Sequence, residues 1–375
     1  MGINGFQVAS LYTIGNSYPC QVVPYLTSMA KWNYFLRRLL LSIPVLVLGT
    51  TVAFLIIRVG PIDPAAAILG PSGDPTEYEQ IRESLGLNDP LWDQYIDSMW
   101  DLFTFNLGQS WVISPGDGAY ELIASYAPRT LWLGFWSILI PLFIGIPLGF
   151  YAGLNPNTLS DYFASFGGIV WRAMPNFWLA IILVSVLSQS QELLGFEWAT
   201  FLVETNIVTP PPLDFLGDPM SLLTAPGESW PTVLAATKQI LPAALVLGSA
   251  SMGNEMRIGR TAVLETVNSN YVETARAKGM SRRNIVWKHI FRNAMIPLVP
   301  VITGEAFLLI GGSVLVEVVF AINGIGYLFF QSAIQGDLPL VSSLLFVFIL
   351  TLVVLNIIQD LLYTVLDPRV GYEDR

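Results

Sequence analysis

Cysteine and histidine are almost missing: Cys20 and His289 are the only ones in 375 residues. A lone thiol leaves no disulfide framework and no cysteine zinc site, and a lone imidazole excludes a multi-histidine metal site. Lysine is scarce as well, four against fourteen arginines, and charged residues of every kind make up only 12% of the chain, half the ~25% usual in soluble proteins. The phosphate-cradling pattern G-x-x-x-x-G-K-[ST] does not occur; the nearest glycine-rich run, Gly248 to Gly253, carries no lysine. If ATP drives this protein, another chain hydrolyses it. No metal or cofactor is expected on this chain, no catalytic residue stands out, and no nucleic-acid partner is expected.

What is present is apolar. Residues of the AVILMFWYC set make up 53% of the chain and the mean hydropathy is +0.57. A soluble fold cannot hide that much apolar surface, whereas a bilayer is an apolar solvent for it. Stretches of about 20 apolar residues, enough to cross a ~30 Å hydrocarbon core at 1.5 Å per residue, fall at Leu39–Val59, Thr130–Leu154, Phe166–Leu187, Ile240–Gly259, Ile296–Phe320 and Leu338–Leu362. The fourth is the least distinct, because Lys238 and Pro242 blur its start and Asn254, Glu255 and Arg257 its end. The expected fold is an all-α integral membrane protein with six transmembrane helices.

Charge sets its direction. Segment 60–128 holds eleven acidic residues against one basic, Arg82, and segment 189–231 holds six acidic and none basic. Segment 253–296 holds eight basic against three acidic, and Lys31, Arg37 and Arg38 precede the first span. The positive-inside rule then predicts a multi-pass protein of the cell membrane with both termini and segment 253–296 in the cytoplasm. The loop at 155–165 carries only Asp161 and does not contribute. The pI near 4.6 comes mostly from the outward segments. An acidic, lysine-poor exterior suits either a protein facing concentrated salt or one matched to a basic partner.

Residues 1–30 read as an N-terminal extension, disordered or lying ahead of the true start at Met29, and lack the basic and apolar regions of a signal peptide. The first span belongs to 31–60. The outward segment 61–128 is too long for a simple loop. Thr76 with Glu79 reads as a capping box opening a helix that ends near Gly86, and Asp89-Pro90 as a second helix start. From there Leu91, Tyr95, Met99 and Leu102 recur at helical spacing, so a small helical extracytoplasmic lid is expected, packed on the spans or used for docking. Residues 129–375 hold the remaining five spans.

Segment 268–296, between the fourth and fifth spans, is the most informative. Asn270 is placed to cap a helix with Glu273 reaching back, and the helix stops at Gly279, where a left-handed residue is required. Ser281 starts a second helix running to about Arg292, and Pro297 opens the next span. Ala275 and Ala277 are small enough to admit another surface, while Ile285, Val286 and Ile290 give an apolar stripe. The segment is either a basic loop on anionic headgroups or a docking element.

The run from Tyr271 through Glu273, Thr274, Ala275, Ala277 and Gly279 to Ser281, followed by His289, Asn293-Ala294 and Pro297, resembles the ATPase-coupling loop of ABC-importer permeases in its peptide-permease variant. Thr274 departs from that pattern's first alanine. Phe35-Leu36-Arg37-Arg38, the run from Leu85 to Tyr95, Gly108 in its Asn106–Ser110 context, Pro175–Ala180, Gly311–Phe320, Gly324-Ile325-Gly326 and Asp367-Pro368-Arg369 are similar to the B-type dipeptide/oligopeptide (peptide/nickel) permease subunit, so that roughly residues 30–372 are covered. Ile62, where glycine is usual, and the absence of basic residues at 155–165 are departures.

The resemblance implies a subunit that shares the translocation path with a homologous second permease subunit. It also implies two ATP-binding subunits that hydrolyse ATP and grip loop 268–296, and an extracytoplasmic substrate-binding protein. Peptides are the implied cargo, with nickel and some sugars known among related permeases. Three ionisable residues in or near apolar runs, Arg172, Glu305 and Glu317, are pore or gate candidates. Glu305 lies eight residues past Pro297, about 12 Å along the helix, and also suits an ion pair or a subunit contact. Arg172 also suits snorkelling to the interface. The competing readings are an ion-coupled secondary transporter working as a single chain, for which no internal symmetry is found, and an intramembrane enzyme. For the latter, Glu305 and Glu317 lie about 18 Å apart on one helix, too far to share chemistry.

Overall fold

In the computed structural model, residues 22–60, 63–70, 74–198, 213, 216–305 and 314–366 are described. They are helical nearly throughout, and among them the one strand-like pairing is an isolated antiparallel bridge between Gln109 and Gly118. Of residues 1–30, those from 22 onward already belong to the first helix, α1 (Val22–Val59), whose membrane-crossing part is Leu36–Val59. Residues 1–21 lie outside the described residues.

The lid comprises α2 (Pro64–Leu69), α3 (Pro75–Ser84) and α4 (Leu91–Phe103). The expected Thr76–Glu79 capping box is replaced by a different cap. Asp74 accepts from the Thr76 backbone N–H and from its hydroxyl, with Pro75 in the first turn. An aspartate just ahead of a proline outcompetes the later threonine because the proline needs no partner for its missing N–H. The predicted stop at Gly86 holds, at φ +62°.

The second span is α5 (Ala119–Ile140) joined through a π-turn at Pro141–Gly145 to α6 (Ile146–Leu154). Pro141 lacks an N–H, so the ladder widens there instead of breaking. The third span is a correction. It is not one straight helix but α7 (Leu159–Ala173) and α8 (Asn176–Ser188), bent by 90° over a short break. Met174 takes an extended conformation ahead of Pro175, as the proline ring demands of its predecessor. By length and composition the described residues hold five helices able to cross a membrane, or six spans with this bent pair counted.

The fourth span is longer than expected. It is α9 (Pro226–Val267), 42 residues, with Lys238 and Pro242 inside it. Helix α10 (Asn270–Ala277) follows. The helical run α11, Arg282–Gly304, is long and apolar enough as a whole to cross, and Pro297 starts no new helix but sits within a 3-10 turn of this run, Ile296–Leu298. The chain continues as α12 (Val314–Val319), α13 (Ile325–Gln335) and α14 (Leu338–Leu366); the Gly311–Ser313 part of the motif lies outside the described residues.

Helix α9 is the hub, packing on α5, α6 and α7. The close approach to α6 rests on glycine: a Cβ on Gly149 would stand 2.8 Å from the Met256 Cα, and one on Gly153 2.7 Å from the Val263 Cβ. Small residues four apart let helix backbones meet where lipid gives no hydrophobic drive to associate. The Gly248–Gly253 run has a matching structural use, since Gly253 faces Gly168 of α7 so closely that an added Cβ would lie 2.7 Å from the Gly168 carbonyl oxygen. Three apolar clusters follow α5–α6 and α9 in order. The one nearest the lid gathers Leu107, Ile123, Leu328 and Phe346, the middle one Leu133, Ala180, Ala244 and Leu247, and the one at α10 Val263, Val272, Ala275 and Ile290.

Candidate coupling loop and its buried carboxylates

Helix α10 is eight residues long, as its sequence predicted, but its N-cap is shifted by one residue. Ser269, not Asn270, is the cap, and its hydroxyl points back to the Thr266 carbonyl rather than forward. Asn270 contributes its carbonyl oxygen, which accepts from the Thr274 hydroxyl at 2.8 Å. At the other end Gly279 stands at φ +71° with open space around it. The Met280 N–H reaches back to the Ala275 carbonyl at 3.2 Å and the Gly279 N–H to that of Arg276 at 2.9 Å, which closes the helix in the glycine-stop manner.

One face of this helix is buried. Val272 and Ala275 join Ala262 and Val263 of α9 and Ile285, Ile290 and Ala294 of α11, with Phe150 and Leu154 of α6 alongside. Ala275 therefore does not admit a foreign surface as expected; at 4% exposure its small side chain serves this chain's own packing. The stripe of Ile285, Val286 and Ile290 likewise faces inward. Glu273, Thr274, Ala277, Gly279 and Ser281 are exposed, together with Tyr271, Arg276 and Lys278, and His289 is half-buried.

An ion pair supports this platform. Arg260 of α9 holds Asp161 of α7 through its Nε and, at 2.8 Å, a terminal nitrogen. The Asn157 N–H adds a bond at 2.9 Å. The paired guanidinium, which outweighs the cost of burial, holds the Asp161 carboxyl down at about 2. Asp161 carried no signal in the sequence beyond being the single charge of its loop.

The charge candidates in the spans are dispersed. Arg172 hydrogen-bonds the Asn254 side chain across the α7–α9 contact. The backbone at Glu305 ends a helical turn, and its side chain lies outside the described residues. Glu317 is fully enclosed rather than turned toward a path. It accepts from the Thr130 hydroxyl on α5 at 2.9 Å and from the Tyr327 N–H at 2.9 Å, while Thr130 accepts the Ile325 N–H at 2.7 Å. The pair thus satisfies the free donors at the start of α13, where negative charge is favoured. Gly324 admits it, because a Cβ there would lie 2.7 Å from the carboxyl carbon.

Asp337 makes a second such knot. It is fully buried and takes the Ser110 hydroxyl and the backbone N–H groups of Trp111, Val112 and Ile113, the last three at 3.0–3.1 Å. It thereby ties the loop after the lid to the start of α14. Its partners are more than two hundred positions away, so no local pattern could reveal it.

Residues 145–372 match the family of binding-protein-dependent transport system inner membrane components, and residues 31–112 match the N-terminal component of that system. The chain belongs to this family of importer permeases. It is 34% identical to the oligopeptide transport system permease protein AppB of Bacillus subtilis over 90% of this chain and 99% of that one. It is 33% identical to the dipeptide transport system permease protein DppB of Alkalihalophilus pseudofirmus over 90% and 99%. The DppB protein of Escherichia coli is 29% identical over 91% of this chain and 99% of its own. The family is one of transport permeases, and the chain is a multi-pass membrane protein; the reading as a single-chain, ion-coupled transporter gives way to this membership.

Proposed function

We propose that this chain is the B-type permease subunit of a peptide importer in the cell membrane. It shares the path with a homologous second permease subunit and receives di- or oligopeptides from an extracytoplasmic binding protein. Two ATP-binding subunits grip α10 and do the hydrolysis. Both termini face the cytoplasm, as the basic segment 253–296 favours, and the chain itself turns over no substrate chemically. The peptide cargo is supported by what the relatives are named for.

The observation that carries the coupling role is the two-sidedness of α10. Val272 and Ala275 fasten it to α9, α11 and α6, while Glu273, Thr274, Ala277 and the Gly279 stop stay exposed. A partner that moves this helix as a rigid body moves α9 with it. Gly279→Val places a β-branched side chain at φ +71°, at a cost of about 1–2 kcal/mol, and is expected to leave membrane insertion intact. In the complete transporter, reconstituted with its binding protein, it should uncouple ATP hydrolysis from peptide uptake. Uptake at the normal rate by that variant would end the docking role. ATP turnover by the purified chain alone would end the division of labour.

A further inference from the structure

We propose that α4, the longest helix of the lid, lies in the outer leaflet of the membrane, with Trp92, Ile96, Trp100 and Phe103 in contact with lipid. Three arcs on this helix support the assignment. One, with Tyr95 and Met99, packs on α1: the Tyr95 hydroxyl meets the Thr51 hydroxyl at 2.8 Å, its ring meets Phe54 edge-on with centroids 5.4 Å apart, and the Met99 sulfur accepts from Thr50 at 3.5 Å. The opposite, polar arc, with Gln94, Asp97, Ser98 and Asp101, lines a cavity of ≈ 290 Å³ beside Arg58. Between them runs the third arc, entirely apolar yet open: Trp92 is 67% exposed, Ile96 47%, Trp100 72% and Phe103 38%.

Depth decides what covers this arc. Arg38 and Arg58 bracket the first span, and the twenty helical steps from one to the other rise about 30 Å, the thickness of the hydrocarbon core. Thr50 and Thr51, on which α4 rests, lie about 11–12 Å short of Arg58 along the helix at 1.5 Å per residue. A helix fastened at that level presents its free side to acyl chains and the headgroup boundary, where tryptophan is favoured. The surface is also continuous with the membrane face of α1, since Val52, Leu55, Ile56 and Val59 are exposed beside the Thr51–Phe54 contact. In water such a stripe would be an unexplained exposed apolar patch.

The test uses the complete transporter in lipid nanodiscs, with Cys20→Ser as background and single cysteines carrying a nitroxide label. Ile96→Cys and Trp100→Cys probe the stripe, Ser98→Cys the polar arc and Ile56→Cys the α1 reference. Lipid burial requires collision with oxygen to exceed collision with a water-soluble nickel chelate at 96 and 100, as at 56, and the reverse at 98. A higher nickel than oxygen accessibility at 96 and 100 would show a water-facing lid and overturn the proposal. Low accessibility to both reagents would show that a protein partner covers the stripe, and would overturn it equally.

Discussion

The two ends of the molecule each have an apolar core and differ in the polar contacts added to it. At the α10 end the fastening is apolar, with Val272, Ala275, Ile285 and Ile290 inward and charge on the outside, reinforced by the Asp161–Arg260 pair. At the lid end an apolar cluster around Leu102, Leu107, Leu328 and Phe346 is joined by hidden polar knots: the carboxyl groups of Asp337 and Glu317, neither of them exposed to solvent, gather backbone N–H groups from loops and a helix start. An apolar seat with an exposed rim suits the docking role proposed for α10. A buried carboxyl group that accepts several donors holds their loops in one shape, since its loss strands every donor at once.

The hub between the ends is the common foundation, and breaking it should override the contrast. Gly149→Leu drives a side chain into the α9 backbone at Met256, where even a Cβ would come within 2.8 Å. A loss of about 3 kcal/mol, the upper end for overpacking, is expected, seen as collapse of the yield of assembled complex and of its thermal midpoint in detergent. Asp337→Asn comes next, leaving one acceptor oxygen for donors that now use two. A loss of about 2–3 kcal/mol should appear as new protease cuts near residues 107–118 while α10 stays protected. If both ends loosened together, the two fastenings would not be independent.

Asp161→Asn is the smaller, mirror-image change, expected to cost about 1.5 kcal/mol and to raise hydrogen exchange in α10 without touching the lid. The pH response follows from its lowered carboxyl. A carboxyl whose folded value is about 2, below the ordinary 3.8 of the unfolded chain, stabilises at all pH above the unfolded value. That contribution fades only as pH falls from about 4 toward 2. Protection of the α10 amides, after division by the intrinsic exchange rate at each pH, should therefore be the same at pH 7 and pH 5. Smallest of all is Gly167→Ala, a neighbour of the tightly packed Gly168 with nothing within 4 Å of its would-be Cβ. It should be neutral or gain up to about 1 kcal/mol, which separates packing glycines from spare ones.

These cases also mark what the sequence made legible. Hydropathy and charge gave the spans and the lid, and the Gly279 stop was readable because a left-handed turn admits few residues. The cap of α3 was misread because Asp74 and Thr76 compete and only the backbone decides. The bend at Met174–Pro175 was present as a proline signal, but a proline reads equally as a mild kink or a right-angle break until its neighbours pack. Ala275 and Ala277 are alike in composition, and helix phase alone turns the first inward and the second outward. Glu317 was conspicuous as a charge in an apolar run, yet its partners Thr130 and Tyr327 come from other elements, and Asp337 went unnoticed for the same reason.

Helix α9 carries a mechanical implication. Forty-two residues make a rod about 63 Å long at 1.5 Å rise, and its three prolines, Pro226, Pro231 and Pro242, all sit in the half away from α10. Leaned by about 10° about its far tip, a rod of that length sweeps its near tip through about 11 Å. A tilt of the α10 end is thereby carried along the whole rod with no proline joint near that end to absorb it, and the slack must be taken up by neighbours such as the elbow at Pro175.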